Sequence, residues 1–294
     1  MPFLTYIQIA LYVLAAAGMT AASAHSVHML QLESYKNRGF RRWVRNNGAH
    51  MFRFPVIVSA VGLILALAAN LIFPAQTAGR AISFAVLSLA YIAAMLGYAK
   101  RSRVKNAKKP LVMTSRAKRL FAAIALVYAV VCGAMWVLDA FVLENTVLSG
   151  MPLFLLMLLA AAGVLMANTL VSPVEKAVQR WYMNDARRIL AERDNLIRIG
   201  ITGSYGKTSS KFILGTILSE KYNVLVPPAS YNTPMGLTRV IREQLKSSHE
   251  VFIAEMGARH VGDIRELCEL VHPKFGLLTS VGPQHLETFG TIEN

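Results

Sequence analysis

The sequence predicts a multi-pass helical membrane domain of about five spanning helices, followed by an α/β domain built around a phosphate-binding loop. Three observations predict it. The first half carries long apolar runs bounded by basic segments. The second half changes to short apolar runs alternating with helical stretches, the pattern of a parallel sheet with crossover helices. A glycine-rich loop ending in Gly-Lys-Thr joins the first short run to the helix after it.

Composition supports the division. The chain has 294 residues, a formal net charge of +15, 54% hydrophobic residues and 16% charged ones, against about 25% charged in an ordinary soluble domain. A disordered chain is excluded, because it needs low hydrophobicity. Residues 1–172 hold 16 Lys and Arg against 3 acids, whereas residues 173–294 hold 15 against 13. Basic charge beside long apolar runs points to a membrane domain before a nucleic-acid binder, so no nucleic-acid partner is expected. Cys132 and Cys268 lie far apart and offer neither a disulfide framework nor a cysteine metal site.

A spanning helix needs about 20 mostly apolar residues. Five segments qualify: Phe3–Ser23, Phe54–Phe73, Ala81–Tyr98, Leu120–Phe141 and Met151–Val171. Pro74–Arg80 separates the second from the third, as in a helical hairpin. Between the first two lie Lys36, Arg38, Arg41, Arg42, Arg45 and Arg53 against Glu33 alone, and the stretch from Ala99 to Arg119 is basic without a single acid. The remaining connections hold Arg80, Asp139 and Glu144. The positive-inside rule then places both basic loops in the cytoplasm, the N-terminus outside, and everything after Val171 in the cytoplasm. The expected localisation is therefore the cytoplasmic membrane, with anionic lipids as partners of the basic loops. Ala22-Ser23-Ala24 resembles a signal-peptidase site, but no basic segment precedes the apolar run, and cleavage would leave the Arg-rich loop outside. The five segments carry no internal charge away from their ends, which disfavours a transporter.

Ser172-Pro173 is expected to end the fifth helix. A connector helix, Val174–Arg193, follows, giving domains 1–172, 173–195 and 196–294. The expected strands are Leu196–Thr202, Asn223–Val226, Val251–Glu255 and Phe275–Thr279. The expected helices are Thr208–Leu218, Leu237–Leu245 and His260–Val271. In such a sheet the site lies at the carboxyl ends of the strands.

The loop supplies the chemistry. Gly203 and Gly206 let the backbone approach phosphate oxygens, and the helix N-terminus supplies positive potential. Lys207 can reach the β- and γ-phosphates, and Thr208 can place its hydroxyl on Mg²⁺. The spacing departs from G-x-x-x-x-G-K-[ST], because Ile201 stands where the first glycine would fall. Glu255 ends an apolar strand, where a carboxylate is poorly placed unless it is functional or solvated.

Thr202-Gly-Ser-Tyr-Gly-Lys-Thr208 resembles the nucleotide loop of the Mur ligases, whose T-G-[TS]-x-G-K-[TS] accounts for Ile201. Ser230-Tyr-Asn-Thr-Pro-Met-Gly236 is similar to their Asn-rich stretch. Glu255-Met-Gly-Ala258 with Gly262-Asp-Ile264, and Gly282-Pro-Gln-His-Leu-Glu-Thr-Phe-Gly290, resemble segments of the members that add D-alanyl-D-alanine. The resemblance covers about residues 196–294. It implies an ATP-dependent amide ligase that works through an acyl phosphate, with a muramoyl-peptide or lipid-linked precursor and an amino acid or dipeptide as substrates. It implies ATP binding by Thr202, Gly203, Ser204, Tyr205, Gly206, Lys207, Thr208, Ser209 and Asn232. It implies Mg²⁺ on Thr208, Glu255 and His285, and catalysis by Lys207, Glu255 and His285. Residue chemistry alone does not single out His285, since Mg²⁺ prefers oxygen. Arg259 and Glu287 read as surface groups or as supports behind the site, and His260 and His272 as solvated helix-end residues. The familiar soluble enzyme carries a UDP-sugar domain where this chain has apolar helices, and its ATPase domain continues where this chain stops at Asn294, so the chain is expected to be part of a longer ligase. The alternatives are a poly-γ-glutamate synthetase-like ligase, a membrane ATPase or transporter, and a noncatalytic ATP-binding scaffold.

Overall fold

A computed structural model describes residues 2–72, 77–101, 110–143, 151–228 and 231–291. The chain divides into two compact units, Met1–Pro173 and Val174–Asn294.

The described part of the first unit is helical. Its elements are α1 (Pro2–Ala22), α2 (Ala24–Leu32), α3 (Asn37–Asn46), α4 (Gly48–Ile72), α5 (Thr77–Arg101), α6 (Ser115–Leu138), α7 (Met151–Leu155) and the first part of α8 (Ala160–Ala191). A π turn at Asp139–Leu143 follows α6, and a 3-10 turn at Leu156–Leu159 separates α7 from α8. α1 packs on α6 and α4 on α5. Met19, Leu30, Phe40, Tyr91, Tyr128 and Phe154 fill the core, while Leu14, Ile64, Leu89, Leu96 and Leu126 are exposed.

Among the described residues, four helical stretches are long and apolar enough to cross a membrane, by length and composition: Thr5–Leu32, Met51–Ala69, Ser115–Leu143 and Pro152–Ala191. The third expected segment supplies the shorter apolar stretch Ala85–Tyr98. The basic stretch after Ala24 is not an open loop. It folds into α2, α3 and the start of α4. On α3 the helical period turns Phe40 inward against Trp43 and leaves Arg38, Arg41, Arg42 and Arg45 exposed. Part of the expected Pro74–Arg80 turn, residues 102–109 of the second basic stretch, and Glu144 lie outside the described residues.

Ser172-Pro173 does not end a helix, because α8 runs through Pro173. The expected connector helix is the C-terminal part of α8. Proline removes one helical amide and crowds the carbonyl four residues earlier. Packing on both flanks outweighs that local penalty. Before the proline, the Asn168 amide donates to the Tyr35 carbonyl (3.0 Å) and to Asn37 Oδ1 (2.7 Å). After it, Ala186 and Leu190 are buried in the core of the second unit.

The second unit continues with β1 (Ile197–Thr202), α9 (Lys207–Ser219), β2 (Val224–Leu225), α10 (Pro234–Gln244), β3 (Val251–Glu255), α11 (Asp263–Val271), β4 (Phe275–Leu278) and α12 (Leu286–Phe289). The strands form one parallel sheet in the order β2-β3-β1-β4. Every residue of β3 is buried, as expected for a parallel strand covered on both faces. Phe252 joins Leu237, Ile241, Leu267 and Leu270 in one cluster, and Ile253 joins Ile201 and Val251 in another. β1 pairs with β3 on one side and β4 on the other. The strand order therefore reverses at β1, and the loop after it opens into the crevice at the carboxyl edge.

Candidate nucleotide site

The loop after β1 is held by the segment after β4. The Ser204 amide donates to the Ser280 carbonyl (2.7 Å), and the Tyr205 amide donates to Ser280 Oγ (2.9 Å). Thr279 Oγ1 donates to the Tyr205 carbonyl (2.6 Å). Ser204 Oγ accepts from the Gly282 amide (2.9 Å) and donates to its carbonyl (3.0 Å). Gly203 is required here. Its φ is +141°, and a Cβ would lie 2.2 Å from Thr279 Oγ1.

Gly206, with φ +79°, precedes α9. The Ser210 amide donates to the Gly206 carbonyl (2.9 Å). The amides of Lys207, Thr208 and Ser209 come before that bond, in the first turn, where a helix presents its positive end. Lys207 Nζ folds back to donate to the Gly203 carbonyl and to the Ser204 carbonyl (3.3 Å). The amides of Ser204 and Tyr205, two of the expected phosphate contacts, are engaged by residue 280, which leaves the first turn of α9 as the loop's remaining set of backbone donors. Tyr205 and Ser209 are exposed, and Thr202 is half-buried at the end of β1.

Glu255 is the hub of the site. It ends β3, beside Ile201 of β1, and is 1% exposed. Thr208 Oγ1 lies 3.1 Å from each of its carboxylate oxygens. Asn232 Nδ2 donates to Oε1 (3.2 Å). Lys211 Nζ stands 3.1 Å from Oε2 and is fully buried. Gly257 lets Asn232 come this close: its amide donates to the Asn232 carbonyl (2.9 Å), and a Cβ there would meet Asn232 Cγ at 2.9 Å. The structure thus brings Thr208, Asn232 and Glu255 together, with Lys207 in the adjoining loop. The Glu255 carboxylate is buried and paired rather than solvated. Lys211 is absent from the sequence expectations. The signal was its spacing, since a residue four after Lys207 falls on the same face of the helix.

His285 is placed differently. It is exposed, has φ +56° and precedes α12. No hydrogen bond or ion pair joins its side chain to Glu255 among the described residues. Among them, too, no group of three or more His, Cys, Asp or Glu side chains is placed to hold a metal. Its segment is tied to the loop after β3, because Thr288 Oγ1 donates to the Arg259 carbonyl. In that loop Asp263 Oδ2 accepts from the amides of Arg259 (2.8 Å) and His260 (2.9 Å). Partial burial pushes the Asp263 carboxyl up, but those two amides and the nearby His260 hold it below the ordinary carboxylate range. Arg259, His260, His272 and Glu287 are exposed.

The donor set fits a nucleotide with a hard divalent cation. A hydroxyl and a carboxylate meet beside a helix N-terminus and a lysine, and Mg²⁺ takes oxygen ligands together with phosphates. Residues 201–294, which contain all these groups, match the family described as the Mur ligase middle domain.

This segment is similar to curated ligases. It is 38% identical over 96 residues to the UDP-N-acetylmuramoyl-tripeptide--D-alanyl-D-alanine ligase of Treponema pallidum, covering 33% of this chain and 21% of that protein. It is 39% identical over 95 residues to the ligase of the same name from Mycobacterium tuberculosis H37Rv, covering 32% of this chain and 18% of that one. The crystal structure of MurF from Acinetobacter baumannii aligns with a TM-score of 0.38 at 29% identity, covering 39% of this chain and 25% of that chain. The chain thus spans about a fifth of the length of the curated relatives it matches.

These comparisons correct the expected localisation. The matched relatives are named as ligases that act on a UDP-linked muramoyl tripeptide. The expectation of a multi-pass protein of the cytoplasmic membrane, with its N-terminus outside, is overturned on that ground. Length and apolarity make a helix able to cross a bilayer, but the same properties serve a buried helix, so capacity is not location.

Proposed function

We propose that the chain carries the nucleotide-binding part of an ATP-dependent ligase of peptidoglycan precursor synthesis, one that adds D-alanyl-D-alanine to a UDP-linked muramoyl tripeptide. The observation that carries this reading is the meeting of Thr208, Asn232 and Glu255 beside Lys207, inside a segment shared with ligases of that name.

The reaction joins a carboxylate to an amine. The γ-phosphoryl group of ATP passes to the carboxylate, giving ADP and an acyl phosphate. The amine attacks the acyl carbon, phosphate leaves, and the amine's proton is lost to a base. The protein's share is positioning and charge neutralisation. The first turn of α9 receives the phosphates with its amides, and Lys207 swings from the Gly203 and Ser204 carbonyls to the β- and γ-oxygens. Thr208 and Glu255 offer the oxygens that would hold Mg²⁺, which supplies charge neutralisation on the phosphates when bound. Asn232 steadies the carboxylate. His285 would need to approach Glu255 to serve as a metal ligand.

The test is phosphate release by the purified protein with ATP, Mg²⁺, UDP-N-acetylmuramoyl-tripeptide and D-alanyl-D-alanine, with the product identified by mass. Release that requires both substrates, with the pentapeptide product formed, supports the reading. Product formation that persists when Lys207 is replaced by Ala overturns the site.

A further inference from the structure

Two lysines one helical turn apart do different work. Lys207 Nζ turns to the carbonyls of the phosphate loop, while Lys211 Nζ turns to Glu255 Oε2 at 3.1 Å. Lys211 is fully buried and Glu255 almost so. Among the described residues, the other hydrogen-bond partners of this carboxylate, Thr208 and Asn232, are neutral donors. The carboxylate that would receive a divalent cation therefore already faces a buried cation of the chain itself.

That arrangement has a cost for a metal ion arriving alone. Mg²⁺ and Mn²⁺ give up bound water only where negative charge replaces it. Here the Glu255 carboxylate is offset by the ammonium of Lys211, and the two cations would repel across a buried interior where charge interactions are strong. The missing negative charge is that of a nucleotide's β- and γ-phosphates, delivered to the first turn of α9. We propose that Lys211 is a positioning residue that makes this site take its divalent cation together with the nucleotide and not before it. Lys211 holds Oε2, Asn232 holds Oε1, and Thr208 spans both, so the carboxylate is oriented in advance without acting as a free-metal trap. The inference rests on the nucleotide-site reading above and adds a binding order and a residue to it.

The test is Mn²⁺ titration of the purified full chain, with and without a non-hydrolysable ATP analogue, read as loss of the free-ion paramagnetic resonance signal beyond that of matched protein-free samples. Wild-type protein is expected to take up Mn²⁺ only when the analogue is present. Lys211→Met keeps the apolar stem and removes the charge, and it is expected to bind Mn²⁺ without nucleotide about tenfold tighter than wild type. A merely structural lysine would not produce that gain. A folded Lys211→Met that gains no Mn²⁺ binding overturns the inference. If that variant does not fold, the wild-type titration decides: uptake of Mn²⁺ alone as tight as with the analogue overturns it, and uptake that needs the analogue supports it. Wild-type protein that takes up Mn²⁺ neither alone nor with the analogue overturns the nucleotide-site reading itself, a result distinct from uptake of the metal alone.

Discussion

The Thr208 hydroxyl, in the first turn of α9, stands 3.1 Å from both carboxylate oxygens of Glu255 at the end of β3. A single side chain of the phosphate loop thereby reaches across to the strand beside β1. Replacing Thr208 with Val keeps the branched shape and removes the hydroxyl. We expect a stability loss of about 1 kcal/mol, the worth of an ordinary hydrogen bond. Mg²⁺-dependent binding of a fluorescent ATP analogue is expected to weaken by about tenfold or more. Equal affinity for the Mg²⁺-bound analogue in variant and wild type would remove Thr208 from the metal site.

The Lys211–Glu255 pair lies in the interior, where removing one partner strands the other. Lys211→Met is expected to cost about 3–5 kcal/mol by urea denaturation. Adding Glu255→Gln removes the stranded charge, and the double variant should recover more than half of that loss. A double-mutant cycle gives the coupling directly. Strictly additive losses would mean that the two groups do not compensate each other.

Gly203 holds a backbone conformation that disfavours side chains, with its missing Cβ directed at Thr279 Oγ1. Gly203→Ala must move the segment from Thr279 to Gly282, on which Ser204 and Tyr205 depend. We expect a stability cost of about 1–3 kcal/mol. Nucleotide affinity should fall by about tenfold, measured by fluorescence titration. An alanine variant that binds nucleotide like wild type would show that the loop does not need this geometry.

Asp263 gives a pH signature. Burial opposes its charged form, but the amides of Arg259 and His260 and the charge of His260 outweigh it, so the folded value lies below the unfolded one. The sign follows: its contribution is fully present above the unfolded value of about 3.9 and is lost as pH falls through the folded value. The side chain is 33% exposed, so the contribution is modest. Wild type should lose melting temperature faster than Asp263→Asn as pH falls below about 4. Parallel curves for the two proteins would remove Asp263 from the acid response.

The parallel sheet was legible because its strands are short apolar runs between helical stretches. Val251–Glu255 is the expected strand residue for residue. The loop between β1 and α9 was legible because Gly203, Gly206, Lys207 and Thr208 lie close together in sequence. Other features were not. The arginine-rich stretch after Ala24 reads as a loop by charge, yet its apolar residues recur at helical spacing, and packing of Phe40 makes it α3. Pro173 reads as a stop by local preference, and the packing of α8 overrides it. His285 carried a metal role by resemblance, and its exposed position before α12 does not bring it to Glu255.

What the sequence determined by itself was everything written in short range: apolar periodicity, the glycines of the loop, and the lysine and threonine that follow them. These act through local sterics and helix geometry, which need no distant partner. What only the tertiary structure decided was the charge balance of the site. Lys211, Asn232 and Glu255 come from a helix, a loop and a strand far apart in sequence, and they become one cluster only when β3 lies beside β1 and α9 packs across them. Burial then turns an ordinary carboxylate and an ordinary lysine into a pair that neither could have left unmade, because a buried charge without a partner costs more than most single interactions return.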